Sequence, residues 1–401
     1  VYYNVKGAAL INQMTLNAQK NRLYASQKRA TANLLRDQVI VCGDSLELIT
    51  KQYNSLLDGK WQGMMSLIHG GARSFERART DSVTLNSMPT LGVSCEAADN
   101  MKGVSNVYTI PCFNKYLPQS YYVDVFNSGV GKLKWKALPS DSWILVDRKS
   151  GVIHSEVRIN VSIDWNKVPT GESVSGSIDI VSGSGEKKTV FVSVFNPESP
   201  SIEELKGLYV ENNGYVSIDA TGFHRKYEDE NVKFDIVKGL GFDNKVVRLG
   251  DPFAKTPYLD GLILTSNYVA PVRGDKYPVL EYDFYSFQTG PVDVYTYMMP
   301  IFPLDNEHGS RYGVMVDNSP VYLPEAGSPY YSTLWIQSVL RNCRINKTTH
   351  FINKPGKHTV KIYCAHPGMM LQKIVVDFGG LQRSYICLLY TSPSPRDTER
   401  S

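Results

Sequence analysis

Residues 349–380 read THFINKPGKHTVKIYCAHPGMMLQKIVVDFGG, and this stretch decides the fold class. From His358 to Cys364 polar and apolar residues alternate, so Val360, Ile362 and Cys364 share one face of a strand. Pro367-Gly368 supplies a turn. Residues 371–378 follow, with the β-branched run Ile374-Val375-Val376 at their centre. The pattern predicts a hairpin. A lone hairpin does not hold together in water, so its apolar face requires a second sheet.

The same period-two pattern extends upstream. Strands are expected at 214–221, 232–237, 246–249, 279–285, 292–297 and 312–316. With the closing pair this makes about eight strands, the number of a jelly-roll β-sandwich over 199–386. Two prolines in the polar run 196–200 mark its upstream boundary. Before it, 91–198 alternate again. Strands at 121–126, from 133, at 143–146, 156–164, 175–181 and 188–194 are separated by Gly, Ser, Asp and Pro turns. Short strands at steady spacing indicate an Ig-like β-sandwich.

Residues 1–90 follow a different rule. Ala32, Leu35, Val39, Cys42, Leu46, Ile49, Tyr53 and Leu56 step by three and four in alternation. That is an a/d seam, and it predicts a helix from 32 to 56 that ends at Asp58-Gly59. Residues 1–28 carry apolar positions at helical spacing, so the first two helices should pair antiparallel in a bundle. A short third helix is expected over 61–68.

Bulk composition excludes several classes. Of 401 residues, 42% are hydrophobic and 20% charged, as in globular protein. The net charge of +4 is far from a nucleic-acid footprint. No apolar run is long enough for a membrane-spanning helix. Six cysteines are scattered without Cys-x-x-Cys or Cys/His spacing, which argues against zinc. Pairings Cys95–Cys112 and Cys343–Cys364 stay open beside buried free thiols. No G-x-S-x-G, P-loop or H-E-x-x-H motif occurs, and no pair of carboxylates is set up by spacing for glycoside cleavage.

The segments KPGKHTVKIY and HPGMMLQKIVVDFGGL resemble the end of the C-terminal β-sandwich of glycoside hydrolase family 115. VKGAALINQMTLNAQKNRLYASQKRATAN and Gly59-Lys60-Trp61 with Met64-Met65 and His69 resemble the helical domain of that family. YYVDVFNSG fits it too, and also resembles BACON-type Ig-like modules. The resemblance covers nearly the whole chain to about Ile386. It implies the C-terminal half of a xylan α-1,2-glucuronidase whose catalytic barrel precedes Val1. By that resemblance the parent enzyme removes (4-O-methyl)glucuronic acid from xylan, uses no cofactor, forms a homodimer and is secreted or periplasmic. A short helix over 332–343 is implied as well.

No catalytic residue of the family maps onto this sequence. Trp61 and His69 are the candidate substrate contacts, each weighed against a packing role. Trp135, Trp143 and Trp165 are candidates for sugar stacking or for core. Tyr285, Tyr295, Tyr297, Tyr312 and Tyr322 belong to strands, where about half should face inward. Asp219 occupies the position of a structural calcium ligand in related jelly rolls, but one carboxylate makes no metal site. From Cys387 onward the sequence resembles a translated sequencing adapter and is expected to be a non-native, disordered tail. The rival reading is a non-enzymatic carbohydrate-binding or adhesive protein.

Overall fold

A computed structural model describes residues 1–66, 78–96, 108–254, 277–302 and 310–381. The chain divides into two compact units. The first comprises Val1–Lys115 and Gln119–Pro197; the second comprises Tyr116–Pro118 and continues from Glu198.

In the first unit, α1 (Tyr2–Ser26) and α2 (Thr31–Asn54) form an antiparallel hairpin. Leu10, Met14 and Ala18 of α1 pack against Val39, Cys42, Leu46 and Ile49 of α2. The a/d seam is therefore the buried stripe. Helix α2 runs through Gly43 without a break but stops at Asn54, short of Leu56. The next turn, α3 (Leu56–Gly59), has Leu57 and Asp58 in left-handed conformation. The expected helix over 61–68 does not form in its described part. Residues 61–65 make turns, because Gly63 sits at φ +78° and no helical residue adopts that value. Leu67 and Ile68 lie outside the described residues.

Three asparagines tie the helices to the backbone of the segments that follow them. Asn21 accepts from Asp81 N at 2.7 Å and donates to Asp81 O at 2.9 Å. Asn33 does the same with Val83, at 2.9 Å both ways. Asn54 grips Met65 N and O at 3.2 and 2.8 Å. Each side-chain amide thus satisfies both the N–H and the C=O of one backbone residue.

The sandwich of this unit holds β1 (Leu91–Cys95), β2 (Tyr108–Thr109), β3 (Phe113–Asn114), β4 (Tyr121–Asn127), β5 (Leu133–Pro139), β6 (Ile144–Val146), β7 (Ser150–Ile153), β8 (Glu156–Ile163), β9 (Gly171–Ser182) and β10 (Lys187–Asn196). One sheet has the order β1-β4-β8-β6; the other runs β2-β10-β9-β5-β7, with β3 also on β10. Alternate residues of both, such as Val123, Val125, Ile159, Ile178 and Val192, fill the core between them.

The second unit has β11 (Tyr209–Val210), β12 (Tyr215–Asp219), β13 (Arg225–Tyr227), β14 (Phe234–Lys238), β15 (Lys245–Leu249), β16 (Val279–Ser286), β17 (Gly290–Met298) and β18 (Tyr312–Val316). Helix α4 (Thr333–Leu340) follows, capped by Ser332, and then β19 (Arg344–Ile352), β20 (Gly356–Cys364) and β21 (Met369–Asp377). The sheets are β11-β16-β20-β18 with β13 on β16, and β14-β15-β21-β17-β19 with β12 on β21. Their inner faces close on one core that includes Tyr282, Phe284, Val360, Ile362, Val294 and Ile374.

One expectation fails here. The two strands of the deciding stretch are not a hairpin. β20 pairs with β16 and β18, whereas β21 pairs with β12, β15 and β17 in the facing sheet. The turn at Pro367-Gly368 carries the chain across the sandwich. Gly368 takes φ +94° there, with a Cβ position only 3.0 Å from the Pro252 backbone. Each strand of the stretch is covered by the other's sheet, so alternation fixed the buried face of β20 correctly and the pairing wrongly.

Cys95 and Cys112 stand as separate thiols, as do Cys343 and Cys364. Cys387 and the expected tail, with the domain end at Ile386, lie outside the described residues. No helix among the described residues is long and apolar enough to cross a membrane.

Candidate functional site

Trp61 is half-buried, in the turns after α3, with the Lys60 ammonium 5.3 Å from its ring centre. His69 lies outside the described residues. The described structure therefore does not bring the two together. Trp135 and Trp143 are core, 2% and 4% exposed, and Trp165 packs on the same core. Tyr312 is fully buried, bonded to Thr296 and to Asn346, and burial pushes its hydroxyl up to about 12. Tyr285, Tyr295, Tyr297 and Tyr322 are half-buried. None of the five forms an exposed stacking face.

Asp219 is occupied by protein groups. It pairs with the Lys245 ammonium and accepts from Thr221 N and Oγ1 at 2.8 and 2.9 Å. Lysine thus supplies the positive charge at this position. Among the described residues no cluster of metal-binding side chains occurs.

Among the described residues, Glu281 and Asp283 stand two residues apart on one face of β16. Arg225 grips Asp283 through both Nη atoms at 2.7 Å and reaches Glu281 through Nε at 2.6 Å. Lys357 lies 3.0 Å from Asp283 and Lys361 3.5 Å from Glu281. Burial alone raises the Asp283 carboxyl, but Arg225, Lys357 and Thr359 outweigh it and hold it well below the usual carboxylate range. A group so held does not donate a proton near neutrality. Glu211, also buried, binds Phe287 N at 2.7 Å and Gln288 N at 3.1 Å, and so fixes the turn after β16. Burial raises its carboxyl despite these bonds.

A different surface has the composition of a recognition site. Phe302, Tyr330 and Tyr331 are 55%, 63% and 68% exposed. They gather around Trp335 on α4, with ring centres 6.2, 5.0 and 5.5 Å from the indole. Ring planes cross at 36° to 70°, the tilted and edge-on contacts that aromatic quadrupoles prefer. Beside Trp335 opens a pocket of ≈ 70 Å³, walled by Ile301, Phe302, Ala326 and Val339. Ser328 also lines it, and its buried hydroxyl oxygen has no hydrogen-bond partner. The other serine, Ser338, is spent on Leu334 O at 2.8 Å. Among the described residues lining the pocket none is ionisable.

Sequence reading missed this cluster. Tyr330-Tyr331 just before α4 and Trp335 one turn inside it were the available signal. Phe302 arrives from the far end of β17 and carried none.

Residues 208–388 match the model of the glycosyl hydrolase family 115 C-terminal domain. This module is a family 115 C-terminal domain. The Trp335 cluster and the Arg225 network both belong to the family 115 module. No curated protein matches the chain in sequence. Among solved structures, the chain is similar to a family GH115 4-O-methyl-α-glucuronidase with specificity for decorated arabinogalactans, at 16% identity and TM-score 0.43. That similarity covers 94% of this chain and 28% of that one, so the chain spans under a third of its length. A C-terminal family 6 carbohydrate-binding module of a Zobellia galactanivorans laminarinase is similar over 41% of this chain and 98% of its own, at 11% identity and TM-score 0.24. A family 35 carbohydrate-binding module from Clostridium thermocellum is similar over 40% and 96%, at 10% identity and TM-score 0.24.

Proposed function

We propose that this chain is the accessory portion of a carbohydrate-active glycoside hydrolase that removes (4-O-methyl)glucuronic acid side chains from xylan, and that it carries no hydrolytic pair itself. The family 115 C-terminal domain carries this reading. The carboxylates support its second half. Cleavage needs a protonated acid facing a second carboxylate across the bond. Asp124, Glu281 and Asp283 are each held by cations instead.

In this reading the catalytic domain lies N-terminal to Val1. The helical hairpin buttresses it and a homodimer contact, and the sandwiches hold polysaccharide. Trp61 and His69 are the substrate contacts of the helical segment. The protein works outside the bacterial cytoplasm, where its polymer is. Neither cofactor nor nucleic acid nor membrane belongs to the mechanism.

The test is expression of the reading frame extended upstream. The extended protein is expected to release glucuronic acid from glucuronoxylan. Decorated arabinogalactan, run in parallel, decides the polymer. An extension encoding a signal peptide and no catalytic domain would overturn the reading in favour of a non-enzymatic glycan-binding protein.

A further inference from the structure

The pocket beside Trp335 joins three features. Its walls are apolar and aromatic, one hydroxyl inside it has no partner, and the rings around it face solvent. Ligand sites are built this way, from apolar walls and a few convergent polar groups. We propose that this pocket binds a neutral sugar residue of a glycan backbone, a proposal that rests on the carbohydrate-active reading above.

Size sets how the sugar sits. At ≈ 70 Å³ the pocket falls well below the ~300 Å³ at which sites enclose a whole small ligand. The sugar ring therefore lies over the rim, its C–H face against Trp335 and Tyr330, and one substituent enters. Ser328 Oγ is closed to solvent in this conformation, so a turn about χ1 brings its O–H to the oxygen of that substituent and gives the hydroxyl its missing partner.

Charge decides which sugar. A glucuronate carboxylate buried here would lose its water without gaining a cation from the described lining residues, none of which is ionisable. The pocket thus selects an uncharged residue of the main chain and leaves the acidic side group elsewhere. A protein partner fits less well. An apolar side chain filling the pocket would leave the Ser328 hydroxyl buried and unpaired.

The test uses the 401-residue chain and xylohexaose in isothermal titration, with glucuronosylated xylohexaose beside it. Both oligosaccharides are expected to bind with equal affinity. Trp335→Ala is expected to weaken binding about tenfold through the lost stacking face. Ser328→Ala is expected to weaken it about fivefold through one lost hydrogen bond. Ser328→Ala should also leave the melting temperature unchanged or raised, since it removes an unsatisfied hydroxyl; that separates lost binding from lost fold. Equal affinity in wild type and both variants would overturn the site. So would binding only of the glucuronosylated form, or no sugar binding together with self-association abolished by Trp335→Ala. Glucuronic acid release by the extended protein is a separate readout, so the enzyme reading stands or falls independently.

Discussion

Arg29, in the turn between α1 and α2, donates to Asp124 of β4 through both Nη atoms at 3.2 Å and to Glu156 of β8 at 3.1 Å. The guanidinium is sandwiched between the Tyr24 and Phe126 rings, 4.2 and 4.6 Å from their centres. Ala30 N donates to Asn127 O beside it. The helix hairpin is thus bolted to the sheet of the first sandwich by one planar cation. Arg29→Ala would leave the Asp124 carboxylate buried with only the half-exposed Arg158 as cationic partner. Loss of one member of a buried pair costs about 3–5 kcal/mol. Arg29→Lys should recover little, because an ammonium neither forks to two carboxylates nor stacks between rings. Urea denaturation of the three proteins measures both effects.

Gly92 of β1 supports the same bolt from behind. A Cβ there would meet the Phe126 ring at 2.1 Å. Gly92→Ala must displace the Phe126 ring that stacks on Arg29, so a loss of roughly 1–3 kcal/mol is expected. Because both act through Phe126, Gly92→Ala and Arg29→Ala should combine with less than additive loss in a double-mutant cycle.

His350 makes the second unit sensitive to mild acid. Its Nδ1 meets Ser319 Oγ at 3.0 Å and its Nε2 meets Thr348 Oγ1 at 2.9 Å, two hydroxyls that suit a neutral ring. Burial pushes the imidazole down to about 4. An unfolded histidine binds its proton near pH ~6.5, so between pH ~6.5 and about 4 the unfolded chain holds more protons than the folded one. Stability is therefore full above pH ~6.5 and is lost as the pH falls toward 4, by up to roughly 3 kcal/mol. His350→Asn should flatten the melting temperature across that window. Calorimetry at a series of pH values checks it.

The thiols should be inert in the native protein. Burial pushes Cys95 and Cys343 up to about 12 and Cys364 also upward, and only the thiolate attacks. Reductant should leave the melting temperature unchanged, and iodoacetamide should label these three only after denaturation. Peptide mapping by mass spectrometry gives the answer.

Much of this fold was legible in the sequence because burial imposes a period. The α2 seam and the inward face of β20 follow directly from spacing. Spacing says which face is buried but not which strand lies alongside, so the crossing at Pro367-Gly368 escaped it. Helix α2 stops two residues before Leu56 because Leu57 and Asp58 turn left-handed, a tertiary choice with no local signature. Arg29 and the asparagine clamps were invisible for the same reason: their partners lie 50 to 127 residues away, apart from Ala32 and Met65 at 11 and Gln27 at 2. Trp61 was legible as a residue of interest, whereas the Trp335 cluster needed Phe302 from a distant strand before it became a site.

The most direct measurement is the release of 4-O-methylglucuronic acid by the purified 401-residue chain, incubated with glucuronoxylan and followed by anion-exchange chromatography. With Asp124, Glu281 and Asp283 held by cations, the expected yield is none above buffer, even at high protein concentration and long incubation. Time-dependent release that scales with the chain's concentration and disappears in an Asp283→Asn, Glu281→Gln double variant would contradict the account.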